Sequence, residues 1–421
     1  VEWEGFGRAL FFMKRIYENL FLEHLNNYNQ MLFIVGPRQA GKTTLMEILE
    51  KALKKKGEIT LSFSMDLQSD QPFFASQQEL VNKIRLEMGN KKGFVFLDEI
   101  QRKADAGLFL KGIYDMKLPY KFIISGSGSL ELKEKIHESM AGRKQIFELS
   151  TLSFNEFVNF TTENKYEDRL NSFFKIERIK TENLLKEYLR FGGYPRVILA
   201  ETRTENFNIL EEIYTSYLEK DIAYLLKIKK TEAFSELTKL LASQIGNLVT
   251  FSELANTLNL SAQTAKEFSW YLEKTYITKK VTPYFSNTRK EITKSPIIYF
   301  NDLGLRNFII KENEKDGFLF ENFVFKELLN ICRKLYFKIY FWRTTDGTEV
   351  DFIIDKGQEI LPVEVKFKHL KKPAVTRSLR GFIKKYQPKR AVVVNLSFEG
   401  EILIEKTKVK FISFWQLATL F

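Results

Sequence analysis

The chain has 421 residues, of which 44% are apolar and 28% charged, and a formal net charge of +12. It is too long for one core, so two to four domains are expected, and its single cysteine, Cys332, excludes an internal disulfide and a thiolate zinc cluster, with three histidines a poor substitute. No apolar run reaches the roughly 20 residues of a spanning helix, the cysteine usage fits a reducing cytoplasmic home, and the positive charge points to an anionic partner, nucleic acid before membrane, or to a merely lysine-rich surface.

Residues 1–12 precede Met13, a candidate natural start, and read as a leader or as added, non-native sequence. From Arg15 to Leu25, Ile16, Leu20, Phe21 and Leu25 recur at helical spacing, which predicts a helix. The apolar run Met31 to Val35 then leads into Gly36, Pro37, Arg38, Gln39, Ala40, Gly41, Lys42, Thr43 and Thr44, and an amphipathic stretch follows from Leu45 to Leu53. Strand, glycine-bearing loop and helix fit the P-loop pattern GxxxxGK[ST]. Loop N–H groups and the helix N-terminus would wrap the phosphates of ATP. Gly36 and Gly41 let the backbone come close, Lys42 would reach the β- and γ-phosphates, and Thr43 would bind Mg²⁺.

Lys54 to Gly57 close that helix with positive charge and a glycine. Ile59 to Leu67 predicts a second strand and Leu80 to Glu87 a helix. Phe94 to Leu97 then run into Asp98 and Glu99, about 55 residues beyond the P-loop. This is the Walker B arrangement: Asp98 would hold Mg²⁺ and Glu99 would polarise the attacking water, which favours hydrolysis over mere binding. Tyr120 to Ile124 predicts another buried strand, ending in Ser125-Gly126-Ser127. Ser127, or Ser125 behind it, is the candidate sensor of the γ-phosphate, unless the segment is only a turn. Arg143 precedes a strand from Gln145 to Leu149. It could neutralise transition-state charge, in cis or from a neighbouring subunit of a homo-oligomer, an effect worth about 10³–10⁵ in rate, or simply cap a helix end.

GPRQAGKTT, FVFLDEIQR, FIISGSGSLEL, AGRKQIFELSTLSFNEF and FGGYPRVI together resemble the prokaryotic AAA-family (AAA+) ATPases with a C-terminal DUF4143 domain. YFSNTRKEITKSPIIYFNDLGL, LFENFVFKEL, TEVDFII and LPVEVK extend the likeness over roughly residues 15–420. The resemblance implies an α/β P-loop core, a helical lid, a winged helix-turn-helix and a restriction-endonuclease-like α/β domain. Thr151 departs from it, since the family usually has proline there, with no catalytic contact at stake. The expected divisions are an N-terminal leader and helix at 1–28, the ATPase core at 29–153, the lid at 154–230, the winged helix at 231–303 and the DUF4143 or PD-(D/E)xK nuclease-like domain at 304–421.

In the lid, Gly192 to Arg196 interrupt a helical region. The resemblance brings this turn to the nucleotide, with Arg196 a second sensor; a plain helix-helix turn is the alternative. Phe251 to Leu258 and Ala262 to Lys274 read as helix-turn-helix, with Ser252 and Ser261 as N-caps, and Ile277 to Pro283 would begin the wing. The second helix would present Gln263, Thr264, Lys266 and Glu267, a face that suits a protein dock as well as a DNA groove.

Glu321 opens a predicted helix to Ile331. Lys338 to Arg343, Val350 to Ile354 and Leu361 to Lys366 predict strands, the first two joined by a turn with an Asp346-Gly347 signal. An acid, a hairpin and then Glu-x-Lys match the PD-(D/E)xK signature without its proline. Asp351 and Glu364 on adjacent strands could share Mg²⁺. Lys366, two residues from Glu364, shares its face and could activate the attacking water. Glu321 could add another metal carboxylate; an exposed hairpin with an ion pair, or a fold kept without cleavage, is the alternative. From Lys366 to Arg390 there are ten Lys and Arg and no acids, which reads as a phosphate-backbone contact beside such a site. Arg377, Arg380, Lys384 and Lys385 make a helical stripe, and Ala391 to Asn395 and Val409 to Phe414 read as closing strands. The expectation is an ATP-hydrolysing protein coupled to DNA binding and metal-dependent nucleic-acid cleavage; the alternative is an ATP-switched DNA- or protein-binding module without nuclease activity.

Overall fold

The computed structural model describes residues 18–127, 140–222, 231–284, 295–311 and 316–421. The expected leader at 1–12, with Met13, lies outside the described residues. Helix α1 (Glu18–Asn27) tucks Phe21 and Leu25 against strand β1 (Met31–Gly36), which is buried throughout. Then follow α2 (Lys42–Lys55), β2 (Thr60–Ser64), α3 (Gln77–Met88), β3 (Gly93–Asp98), α4 (Ala106–Asp115), β4 (Tyr120–Ser127) and β5 (Lys144–Glu148). The strands form one parallel sheet in the order β2-β3-β4-β1-β5. Separate apolar clusters cover its two faces, which is why β1, β3 and β4 are near-continuous apolar runs. Because β4 separates β1 from β3, the ends of these three strands share one edge of the sheet. β2 stops at Ser64, short of the expected Leu67. Asp70 accepts from Ser64 N at 2.9 Å, and Leu67 N turns back to the Ser64 carbonyl at 3.1 Å.

A capping box of Ser153 and Glu156 opens α5 (Phe154–Thr161). α6 (Leu170–Ile176), α7 (Arg178–Phe191), α8 (Pro195–Leu199) and α9 (Arg203–Ser216) come next. Then come α10 (Thr231–Ser243), α11 (Phe251–Thr257), α12 (Ala262–Lys274) and the antiparallel pair β6 (Thr278–Val281) and β7 (Ile297–Phe300). Ser261 caps α12, accepting from Thr264 N. Ser252 is not a cap: α11 starts after Thr250, which leaves Ser252 inside the first turn. α13 (Leu303–Ile310) packs on α7 and α10 through Leu303, Leu305 and Ile309. The division expected at 303/304 falls in the first turn of this helix.

The C-terminal part begins with α14 (Asp316–Leu335) and continues with β8 (Lys338–Arg343), β9 (Glu349–Asp355), β10 (Ile360–Val365), α15 (Arg377–Tyr386), β11 (Arg390–Asn395), β12 (Gly400–Ile404) and β13 (Thr407–Ser413). The sheet order is β12-β13-β11-β10-β9-β8. Its middle is parallel, β10 to β11 to β13, and its flanks are antiparallel. β12 goes beyond the expected strands: it is an edge strand, alternately exposed and half-buried, and only Ile402, Leu403 and Ile404 in it are apolar. Among the described residues no helix is long and apolar enough to cross a membrane.

One apolar core runs from Phe154 to Leu420 and joins α5 to α9, α13, α14 and one face of the C-terminal sheet. Lys326 of α14 sits in it, 3% exposed. Its Nζ donates to Thr151 Oγ1 at 2.7 Å, the Leu152 carbonyl at 3.0 Å and the Tyr188 hydroxyl at 2.6 Å, and lies 4.0 Å from Asp302 Oδ2. Asp302 in turn accepts from Gly193 N at 2.8 Å and Leu305 N at 3.2 Å. The departure at Thr151 thus supplies a hydroxyl acceptor that proline would lack. Removing one partner of a buried charge leaves the rest unsatisfied. Lys326→Met is expected to lower stability by about 3 kcal/mol, measured as a shift in the urea midpoint of tryptophan fluorescence; an unchanged midpoint would remove the energetic role of this contact.

Candidate functional site

The loop after β1 is shaped by its glycines. A Cβ on Gly36 would lie 2.2 Å from the Leu149 carbonyl oxygen, and Gly41 caps α2 with φ +90, a left-handed conformation that costs glycine little. Pro37, Arg38, Gln39 and Ala40 form the loop between them, and Thr44 lies in the first turn of α2. Lys42 is 6% exposed, and its Nζ donates to the Gly36 carbonyl at 3.2 Å and the Pro37 carbonyl at 2.8 Å. The ammonium is therefore held across the loop. Thr43 Oγ1 donates to Asp98 Oδ2 at 2.9 Å, so the two expected Mg²⁺ residues meet although 55 positions apart. Asp98 Oδ1 accepts from Glu99 N at 3.1 Å and from the buried Ser125 hydroxyl. A hydroxyl facing a carboxylate at a helix N-terminus is a donor set of hard oxygens that fits Mg²⁺.

Glu99 takes φ +56, uncommon for a side-chain-bearing residue, and its Oε2 accepts from Gln101 Nε2. The strand register sets Ser127 beside Gly36; its side chain lies outside the description. Ser125, the second choice from sequence, is the serine seen to engage Asp98. Arg196 meets the loop: its Nη1 donates to Gln39 Oε1 at 3.0 Å and to Glu212 Oε1 at 2.8 Å. Arg143 does not. The register pairs Met31 with Lys144, so Arg143 sits at the start of β1, on the order of 17 Å from its P-loop end at 3.3 Å per residue. There it bonds Asp115 Oδ1 at 2.8 Å. The reading of Arg143 as a finger in cis is thereby corrected, because parallel pairing carries it to the opposite edge.

In the C-terminal part, Phe352 pairs with Val363, and the next step of this antiparallel register sets Asp351 opposite Glu364. Lys366 Nζ lies 2.6 Å from Glu364 Oε1, and Asp351 Oδ2 accepts from Val365 N at 2.6 Å. Glu321 on α14 accepts from the Tyr299 hydroxyl of β7 at 2.5 Å. Burial pushes Asp351 well above the usual carboxylate range, with the charges of Glu321 and Glu364 adding to it. Burial likewise pushes Glu321 up to about 7, against the Tyr299 bond and with Glu349 and Glu364 raising it further. Burial works against the charge on Lys366, but Glu364, Asp351 and Glu321 outweigh it and raise the ammonium. Glu364 is 3% exposed, and its Oε2 is buried without a hydrogen-bond partner.

An orphaned oxygen amid mutually repelling carboxylates fits a hard cation held by Asp351 and Glu364. Among the described residues, however, no three His, Cys, Asp or Glu side chains converge as a metal site. Glu321 is near enough to raise Asp351, and its Oε1 is held by the Tyr299 hydroxyl. Leu379, Phe382 and Ile383 seat α15 on the sheet core and leave Arg377, Arg380, Lys384 and Lys385 exposed. Val393, the register partner of Glu364, belongs to that same core, so the basic helix covers the sheet face carrying Glu364. Glu349, Tyr299, Gln101 and Glu212 escape a sequence reading: the first three lie inside the quoted segments but spacing gives them no role, and Glu212 lies outside those segments.

The AAA domain family matches residues 28–158, a domain of unknown function (DUF8612) matches 182–316, and a domain of unknown function (DUF4143) matches 316–417. An uncharacterised protein of Mycobacterium tuberculosis is 26% identical over 86% of this chain and 76% of its own length. Another, from Methanocaldococcus jannaschii, is 26% identical over 80% of this chain and 74% of its own. AMPPCP-bound DnaA from Aquifex aeolicus has 17% identity and a TM-score of 0.28, over 61% of this chain and 86% of that one. A score at that level leaves function to the chain's own residues. The chain belongs to the proteins that join an AAA domain to a C-terminal DUF4143 domain.

Proposed function

We propose that this protein binds and hydrolyses ATP at the P-loop and couples nucleotide state to nucleic acid held, and cut, by the C-terminal domain. The observation that carries the first half is the meeting of Thr43, Asp98 and Ser125 at the mouth of the loop, with Glu99 next in the chain. Lys42 would neutralise the β- and γ-phosphates, and Glu99 would take a proton from the attacking water. Mg²⁺, when bound between Thr43 and Asp98, would stabilise charge on the phosphoryl oxygens. Ser127 and Arg196 are proposed to sense the γ-phosphate. Arg143 would act only in trans, from a second copy.

The second half rests on the unpartnered Glu364 oxygen beside Lys366 and Asp351. Lys366 would orient water toward a phosphodiester, and the exposed basic face of α15 would hold the backbone through counterion release. α11, α12 and the β6–β7 pair are read as a winged helix, whose exposed Gln263 and Lys266 border a groove of about 780 Å³ with Trp270 and Lys280. A cytoplasmic setting fits the single buried thiol. One observation favours a binding module without cleavage: among the described residues no three His, Cys, Asp or Glu side chains converge as a metal site.

Three outcomes are expected. Glu99→Gln should lower the ATPase turnover about 10²-fold or more while nucleotide affinity is kept; normal turnover would remove Glu99 as the base. Plasmid incubated with Mn²⁺ or Mg²⁺ should be nicked by the wild type and left intact by Lys366→Ala; intact plasmid in both arms favours the binding module. The third concerns pH. Glu321 binds its proton more tightly when folded, so its contribution to stability is full below about 4.5 and lost as pH rises through about 7. Glu321→Gln should therefore gain melting temperature over the wild type as pH rises across that window, and a difference that stays constant with pH would contradict it.

A further inference from the structure

Glu212, on α9, has no part in the machinery assigned above, yet its carboxylate lies at the phosphate loop. Its Oε1 accepts from Arg196 Nη1 at 2.8 Å and from Gln39 Nε2 at 3.3 Å. The same Arg196 nitrogen donates to Gln39 Oε1 at 3.0 Å, which closes a ring of three side chains drawn from α9, α8 and the loop. The backbone fixes the participants. Pro195 opens α8 and Arg196 follows it in the first turn, while Gln39 stands in the left-handed region at φ +58. α8 packs against α9, so Glu212 and Arg196 belong to one body that touches the loop from the lid side.

A carboxylate oxygen and a phosphate oxygen are the same kind of acceptor to a guanidinium. Glu212 therefore makes with Arg196 the contact that a nucleotide phosphate at this loop would make. We propose that Glu212 competes with the terminal phosphate of a nucleoside triphosphate for Arg196: it keeps the guanidinium at the loop, docks the lid there, and yields the arginine when that phosphate arrives. Glu212 is thus a positioning residue for Arg196, and it taxes triphosphate binding more than diphosphate binding, because only the terminal phosphate reaches the arginine. The proposal rests on the nucleotide reading of the P-loop. Both side chains are partly exposed, 39% for Arg196 and 55% for Glu212, so the effect is modest, about two- to fivefold in affinity.

The test measures dissociation constants of AMPPCP and ADP, each with Mg²⁺, by titration calorimetry on the full chain. Wild type, Glu212→Gln, Arg196→Ala and the double variant are compared, with Lys42→Ala as the control for the loop. The expected result is AMPPCP binding about two- to fivefold tighter in Glu212→Gln, ADP binding unchanged, and no gain from the Glu212 change once Arg196 is alanine. An unchanged or weaker AMPPCP affinity overturns the proposal. So does an equal gain for ADP, or a gain that persists without Arg196. If wild type and Lys42→Ala bind neither nucleotide, the nucleotide reading itself falls, and this inference with it.

Discussion

The buried ammonium of Lys326 is the contact on which the arrangement of parts depends. A charge withdrawn from water costs several kcal/mol unless its donors are met. Here they are met by a hydroxyl and a carbonyl from the segment that leaves the ATPase sheet, a tyrosine of α7 and the nearby carboxylate of Asp302. Those groups come from separate stretches of chain, so the bonds form only when α14, α7 and the segment after β5 are in register. Asp302 extends the constraint to the Gly193 turn, where a Cβ would lie 2.4 Å from the Leu152 carbonyl oxygen. Three residues beyond that turn stands Arg196, at the phosphate loop.

The same helix that carries Lys326 carries Glu321, five positions earlier, at the C-terminal carboxylates. The two candidate sites are thus linked through one rigid element and one turn. A contiguous set of packed groups is a physical route for coupling, although coupling itself requires that both ends bias a common two-state element. The Arg196, Gln39 and Glu212 ring is a place where such an element would be set, since it joins α8 and α9 to the loop.

The sites differ in how they handle negative charge. At the P-loop, Asp98 is satisfied by Thr43, Ser125 and a backbone N–H, so it holds its place without help. At the C-terminal sheet, burial raises the proton affinity of Asp351, Glu321 and Glu349, nearby carboxylates add to it, and Lys366 beside Asp351 and Glu321 and Arg343 beside Glu349 do not offset it. Crowding buried acids in this way is costly to stability.

The P-loop and the acids at the end of β3 are legible in the sequence because their chemistry is contiguous: glycines, lysine and threonine follow one another, and backbone geometry does the rest. The Glu-x-Lys pair is legible for the same reason, since a strand's two-residue period puts both on one face. Ser125 over Asp98, Tyr299 on Glu321 and Glu212 at Gln39 are not, because they join residues 27, 22 and 173 positions apart. Arg143 shows the opposite failure: local spacing allowed a finger, and parallel pairing carried it to the wrong edge. Local pattern alone was enough for the phosphate loop, the acidic strand ends and the α/β class, since those follow from short-range sterics and periodicity. Which distant side chains meet, which carboxylates stay unpaired and which arginine reaches the loop were decided by tertiary packing, because strand order and helix docking are properties of the whole chain.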